Sequence, residues 1–164
     1  MDLGLERWTD FNVALVGATA ALAGLVIVAA SVNVAEIVKS SSLTARLAAA
    51  IANLMVALTS AAVGLMPDVA GHGYGITLVL LAAGAIAFHI HAVRQIYSTP
   101  TPQIGVLKHA QAVLGFVPPL GFAVGGVLVI AGDPFGLAAF ALASILAVGY
   151  TLGISWVALI EVLR

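Results

Sequence analysis

Five long apolar stretches, each near or above the ~20 residues that a helix needs to cross a bilayer, leave this chain few ways to fold. They run over about 11–38, 44–66, 75–97, 109–131 and 135–163. Turn formers separate them: KSSS, PDVAGHG, STPTPQ and GDP. Every connection is short, so no soluble domain is expected, and short links favour sequential antiparallel neighbours. Of the 164 residues, 62% are hydrophobic and 8% charged, against about 25% charged in a soluble domain. The reading is an all-α bundle of five transmembrane helices, one transmembrane domain over residues 1–164, with the lipid bilayer as its solvent. Five is odd and no internal repeat is evident, which argues against a transporter built from two inverted halves in one chain.

Several functions are excluded at once. The chain has no cysteine, hence no disulfide frame, thiolate nucleophile or zinc–thiolate site. A net charge of −1 gives no basic face for nucleic acid. The opening MDLGLERWTD lacks the basic flank of a signal peptide, so the first apolar run is read as a retained span. HExxH, GxSxG and Walker motifs are absent, and no carboxylate pair shares a span. No enzyme is expected, nor a bound cofactor or metal.

Charge orients the bundle. Lys39, Arg46, Arg94, Lys108 and Arg164 fall on one side, and only Arg7 on the other. The positive-inside rule then places the N-terminus outside and the C-terminus in the cytoplasm. Asp2, Glu6, Asp10, Asp68 and Asp133 fall outside, Glu36 and Glu161 inside. Trp8, Phe11, Tyr74 and Phe135 fit an outer aromatic belt, Tyr97 and Trp156 an inner one.

Small residues let helices approach closely in lipid. Gly121 and Gly125 in span four form a GxxxG pair, as do Gly149 and Gly153 in span five. Gly17, Ala21 and Gly24 repeat the spacing in span one. These serve either contacts within one bundle or a homo-oligomer interface. Pro118 and Pro119, near the middle of span four, predict a kink or hinge that frees the carbonyls near Leu114 and Gly115.

Polar residues collect toward the cytoplasmic third of the spans: Ser31, Asn33 and Glu36, Arg46 and Asn53, His89, His91 and Arg94, then Thr151 and Ser155. Lys108, His109 and Gln111 open span four at the same depth. The outer half is expected to be apolar. His89 lies roughly 20 Å along its span, well inside the hydrocarbon. His89 and His91 are about 200° apart around the helix and cannot serve one ligand from one side. Glu36 is expected to pair with Arg46 or Arg94, and His89 to hydrogen-bond Asn33, Asn53 or Ser155. Such a layer either glues helices together or forms an ion path in which His89 changes charge near neutral pH. In the outer loop, GHGYG places His72 four residues from Asp68, a weak metal pair at best. Haem ligation would need His89 or His91 with His109 on another helix.

The stretches WTDFNVALVGATAALAGLVIVAASVNVAEIV, LTARLAAAIANLMVAL and SWVALIEVLR resemble a bacterial family of small, largely uncharacterised polytopic membrane proteins. Some of its members carry the description of modulator of the membrane-bound AAA protease. The resemblance implies a bacterial inner-membrane location and sets Ser31, Asn33, Arg46 and Glu161 at recurrent polar positions. It implies nothing for His89 and His91, which lie outside the shared stretches.

Three functional expectations follow. The first is a non-enzymatic homo-oligomeric channel or transport protein, its mouth formed by Asn33, Glu36, Arg46, Asn53, His89, His91, Arg94 and Ser155. The second is an accessory protein that binds another membrane protein, such as a protease complex. The third, and weakest, is a haem or quinone protein.

Overall fold

The computed structural model describes residues 4–98 and 112–162, without the side chains of residues 159–162. A short 3₁₀ turn, Leu5–Trp8, leads into α1, Thr9–Val32. A single turn, α2, follows at Val34–Ile37, then α3, Ser41–Gly64, and α4, Gly71–Ser98. A helical turn at residues 112–114 precedes α5, Val117–Ile130, and α6 occupies Phe135–Val162. No strand occurs among the described residues. Five of these helical segments are long and apolar enough to cross a membrane, and the chain is a multi-pass membrane protein by this architecture.

Local chemistry sets the ends. Asn33 leaves helical geometry, with φ −109° and ψ 18°. Its side-chain amide donates to the Ala29 carbonyl at 3.1 Å, so a polar side chain takes over where the backbone ladder stops. The first span therefore ends at Val32 rather than at residue 38. Ser40 caps α3 by accepting from the Leu43 N–H at 3.3 Å. Thr44 ties the same corner by donating to the Ile37 carbonyl at 3.0 Å. At the far end of α5, Gly132 takes φ +81°. Its N–H reaches the Val129 carbonyl while Asp133 N–H reaches that of Leu128, a Schellman closure that needs a left-handed residue at Gly132. The Asp133 carboxylate then accepts from the Phe135 N–H at 2.9 Å and starts α6.

Span four differs from the sequence reading. Pro118 and Pro119 do not kink a continuous helix; they sit in the first turn of α5, where missing N–H groups have no partner to lose. The break lies earlier, at Gly115–Phe116. GHGYG is likewise not a loop, since α4 begins at Gly71 and takes in His72.

α3, α4, α5 and α6 close a ring: α3 packs on α4 and α6, and α5 packs on the same two from the opposite side. α1 lies outside this ring, against α3 with a slight touch on α6. Half of the apolar window of α3 is buried, but only 22% of that of α1, which makes α3 the central helix. Glycines clamp the ring at the end that carries Trp8. A Cβ on Gly75 would stand 2.8 Å from the Gly126 carbonyl oxygen, and one on Gly136 2.7 Å from that of Gly125. Backbone thus touches backbone between α4, α5 and α6. Tyr74, Phe122 and Phe140 fill the core beside this clamp, with Phe140 edge-on to Tyr74 at 6.0 Å. Tyr74 is fully buried, not the interfacial anchor expected from its position.

Candidate functional site

The ring converges on one buried polar node. α3 contributes Asn53, α4 contributes His89, the break before α5 contributes Gly115 and Phe116, and α6 contributes Tyr150. Asn53 is on the inner face of α3 and fully buried; His89 shares a buried stripe of α4 with Ala85 and Ala92 and is 2% exposed. The His89 ring lies 5.6 Å from that of Phe116 and 5.8 Å from that of Tyr150. Gly115 makes this approach feasible, because a Cβ there would fall 2.7 Å from His89 Cδ2 and 2.9 Å from the Tyr150 hydroxyl. A helix break with glycine at its tip therefore admits an imidazole and a phenol to the same spot.

Hydrogen bonding fixes the tautomer. His89 Nδ1 is 2.9 Å from the Ala85 carbonyl, which can only accept, so Nδ1 carries the proton. In the neutral ring Nε2 then accepts, and the Asn53 amide nitrogen faces it at 3.4 Å. The amide oxygen, Oδ1, has no hydrogen-bond partner among the described residues. Turning the amide over would set its oxygen against Nε2, two acceptors face to face, so with a neutral ring the nitrogen must be the atom that points at His89.

Two neighbours complete the node. Thr151 donates to the Ala147 carbonyl of its own helix at 2.8 Å and reaches across to the Ala50 carbonyl of α3 at 3.1 Å. Arg46, 2% exposed, lies one turn below Ala50 on that face.

The expected polar layer divides. Asn53 and His89 come together inside the ring, and Arg46 is buried two turns from Asn53 along α3. Glu36, His91 and Arg94 are exposed, and Asn33 is half-buried. Glu36 does not pair with Arg46 or Arg94; it meets Lys39 at 2.7 Å on the surface, one turn away on the same corner, because the backbone break at Asn33 turns this corner away from the ring. Ser155 joins Asn33 at a small cavity of about 20 Å³ between α1, α3 and α6, separate from the node. Lys108, His109 and Gln111 lie outside the described residues, as does the side chain of Glu161. Among the described residues no cluster of three or more His, Cys, Asp or Glu side chains is placed to hold a metal.

The glycine pairs also divide. Gly121 and Gly125 serve the α5–α6 contact against Ala143 and the Gly136 carbonyl. Gly17, Gly24, Gly149 and Gly153 face open space. The half of the bundle that carries Trp8, expected to be apolar, is not free of polarity either. Asn12, Thr19, Ser60 and Tyr74 are all at most 1% exposed. Tyr150, Gly115 and Phe116 were missed as site residues. The signal for Gly115 was its place three and four residues before the paired prolines, where a break had to fall. Tyr150 had no such signal, because which side of α6 it faces depends on the rotation of that helix. No protein-family model, curated protein or solved structure matches this chain.

Proposed function

We propose that the chain is a non-enzymatic, homo-oligomeric transport protein or channel of the bacterial inner membrane, with its N-terminus outside, and that the node around His89 is the station a translocated ion meets. The observation that carries this reading is the Asn53–His89 pair itself. An ionisable side chain buried at depth in a membrane bundle is costly to keep unless it works. Here the pair has two arrangements of similar shape. With neutral His89 the Asn53 amide nitrogen donates to Nε2. With a proton on Nε2 the ring must donate, and a half-turn of the amide brings the unpartnered Oδ1 into place to accept it. Gain and loss of one proton is thus matched by one side-chain rotation, with no displacement of a helix.

The test is flux. Purified protein in liposomes is given a potassium diffusion potential, and internal pH and cation dyes are read. His89→Ala and Asn53→Leu are expected to reduce the wild-type flux at least tenfold. Wild-type vesicles impermeant to protons and to all common ions would reject the reading.

The accessory role is favoured by a different observation, the uncovered ridges of Gly17 and Gly24 on α1 and of Gly149 and Gly153 on α6. Ridges of this kind accept another helix at close range, from a second copy or from another membrane protein. Cysteine cross-linking at Leu152 separates these: a band at twice the chain mass supports self-association, whereas a heterologous adduct supports the accessory role.

A further inference from the structure

Buried polar residues on α3 recur every seven positions: Arg46, Asn53 and Ser60, each at most 2% exposed. Seven residues are two turns, so the three share one face, with Ala50, Ala57 and Gly64 between and beyond them. The ladder continues past Ser60. A Cβ on Gly64 would lie 2.8 Å from the Asn12 amide nitrogen and 3.4 Å from the Tyr74 ring, which puts these two side chains at its far end. Arg46 to Gly64 covers eighteen residues, about 27 Å of helix, nearly the whole ~30 Å of hydrocarbon.

Along this face polar atoms are left over. Asn53 Oδ1, Ser60 Oγ, Asn12 Oδ1 and Tyr74 Oη are all buried without a hydrogen-bond partner among the described residues. Four such atoms strung along one helix face are far from the rule, since buried polar groups are almost always satisfied by protein or by ordered water. The core cluster around them mixes alanines (Ala57, Ala61, Ala82, Ala85) with larger side chains such as Val56, Leu78 and Phe122, none of which offers these atoms a hydrogen bond. Asn53 and Ser60 stand about 10.5 Å apart along the helix, a gap that three waters at ordinary hydrogen-bond spacing would bridge.

We propose that a file of internal water molecules runs along this face of α3, from the His89–Asn53 node past Ser60 to Asn12 and Tyr74, and that it carries protons. The species rests on the transport reading above. Water and the Ser60 and Tyr74 hydroxyls can each accept a proton on one side and release one on the other, and His89 takes up and returns a proton at Nε2 while the Ala85 carbonyl holds its Nδ1–H, so charge moves with no net chemical change. The titratable group facing His89 is Tyr150 from α6; Arg46 lies two turns from Asn53 along α3, on the side away from Ser60. No carboxylate among the described residues lines the ladder to replace a metal cation's hydration shell.

Two measurements test this on the intact protein in liposomes. Radiolytic hydroxyl-radical footprinting labels side chains that touch water. Tyr74 is expected to label several-fold faster than Phe122, which is equally buried; equal rates at the two would overturn the file. Proton influx is expected to fall at least tenfold in Ser60→Leu and in Asn12→Leu, which fill the path at separate levels, and to persist in Ser60→Ala. Influx in both leucine variants equal to wild type would overturn conduction along this face. Fast labelling of Tyr74 in a protein that passes no ion at all would uphold the water file and reject the transport reading.

Discussion

Asn53 and His89 meet at 3.4 Å across the seam between α3 and α4, with neither side chain more than 2% exposed. One helix supplies an amide with a surplus acceptor and the other an imidazole held by its own backbone. Truncating the two has unequal consequences. Asn53→Leu keeps the branched shape with somewhat more bulk; it removes the amide oxygen that lacks a partner but also the donor to His89 Nε2, so it is expected to lower stability by ~1–2 kcal/mol. His89→Ala empties the space beneath Phe116 and Tyr150 and is expected to lower it by ~2–4 kcal/mol. Thermal unfolding of both in one detergent gives the order; a larger loss in Asn53→Leu would contradict it.

Gly115→Ala should strain the node directly, through side chains rather than backbone. The new carbon would stand 2.7 Å from His89 Cδ2 and 2.9 Å from the Tyr150 hydroxyl, so both rings must move, at about 1–3 kcal/mol. Gly149→Ala meets nothing within 4 Å and should leave monomer stability unchanged or slightly raised. If the α6 ridge joins copies, the same change weakens the oligomer, which cross-linking or mass photometry reads directly.

Gly136→Ala puts a methyl against backbone rather than side chains, 2.7 Å from both the Gly125 carbonyl oxygen and the Val129 nitrogen. Neither can rotate away, so α5 and α6 must separate. A loss of ~2–3 kcal/mol or more is expected, visible as lower yield of folded protein and a reduced melting temperature. An unchanged melting temperature would mean that the two helices are not in backbone contact.

Thr151→Val deletes the hydroxyl that reaches the Ala50 carbonyl across the ring and keeps the shape. Interhelical hydrogen bonds in membranes average about 0.6 kcal/mol, with a maximum near ~1.7, and the loss should fall in that range. Glu36→Gln, by contrast, breaks an exposed one-turn ion pair with Lys39 and should change stability by less than ~0.5 kcal/mol.

The helices were readable because lipid demands long apolar runs, and all five appear close to their expected places. The corner at Asn33 and the break at Gly115 were harder. Hydropathy does not register a residue whose side chain replaces a backbone bond, and paired prolines free the carbonyls near Leu114 and Gly115 whether the helix kinks through them or ends and restarts. Asn53 as the partner of His89 was within reach, because depth along two antiparallel spans brings them level. Tyr150 was not, since its side-chain direction depends on the rotation of α6, which the sequence leaves open. Glu36 illustrates the opposite error. Its depth suggested a buried pair with Arg46, but two residues at one level can face different sides, and the bend at Asn33 turns this one outward. Ser60 and Asn12 escaped notice because a single hydroxyl or amide hardly changes a hydropathy average, although the seven-residue spacing on α3 was present in the letters.

The hydrogen bond from Thr151 to Ala50 joins positions 101 residues apart, and the node closes only when α6 is in place. Synthesis proceeds from the other end. α3 and α4 enter the bilayer with Asn53 and His89 already deep within them, before α6 exists to cover either one. Until α6 is released, this half-built bundle presents polar groups to lipid or to the insertion machinery, where a soluble protein would present sticky apolar surface. Closure of the polar centre therefore requires α6, and a chain shortened before Tyr150 should be the form that membrane quality control removes.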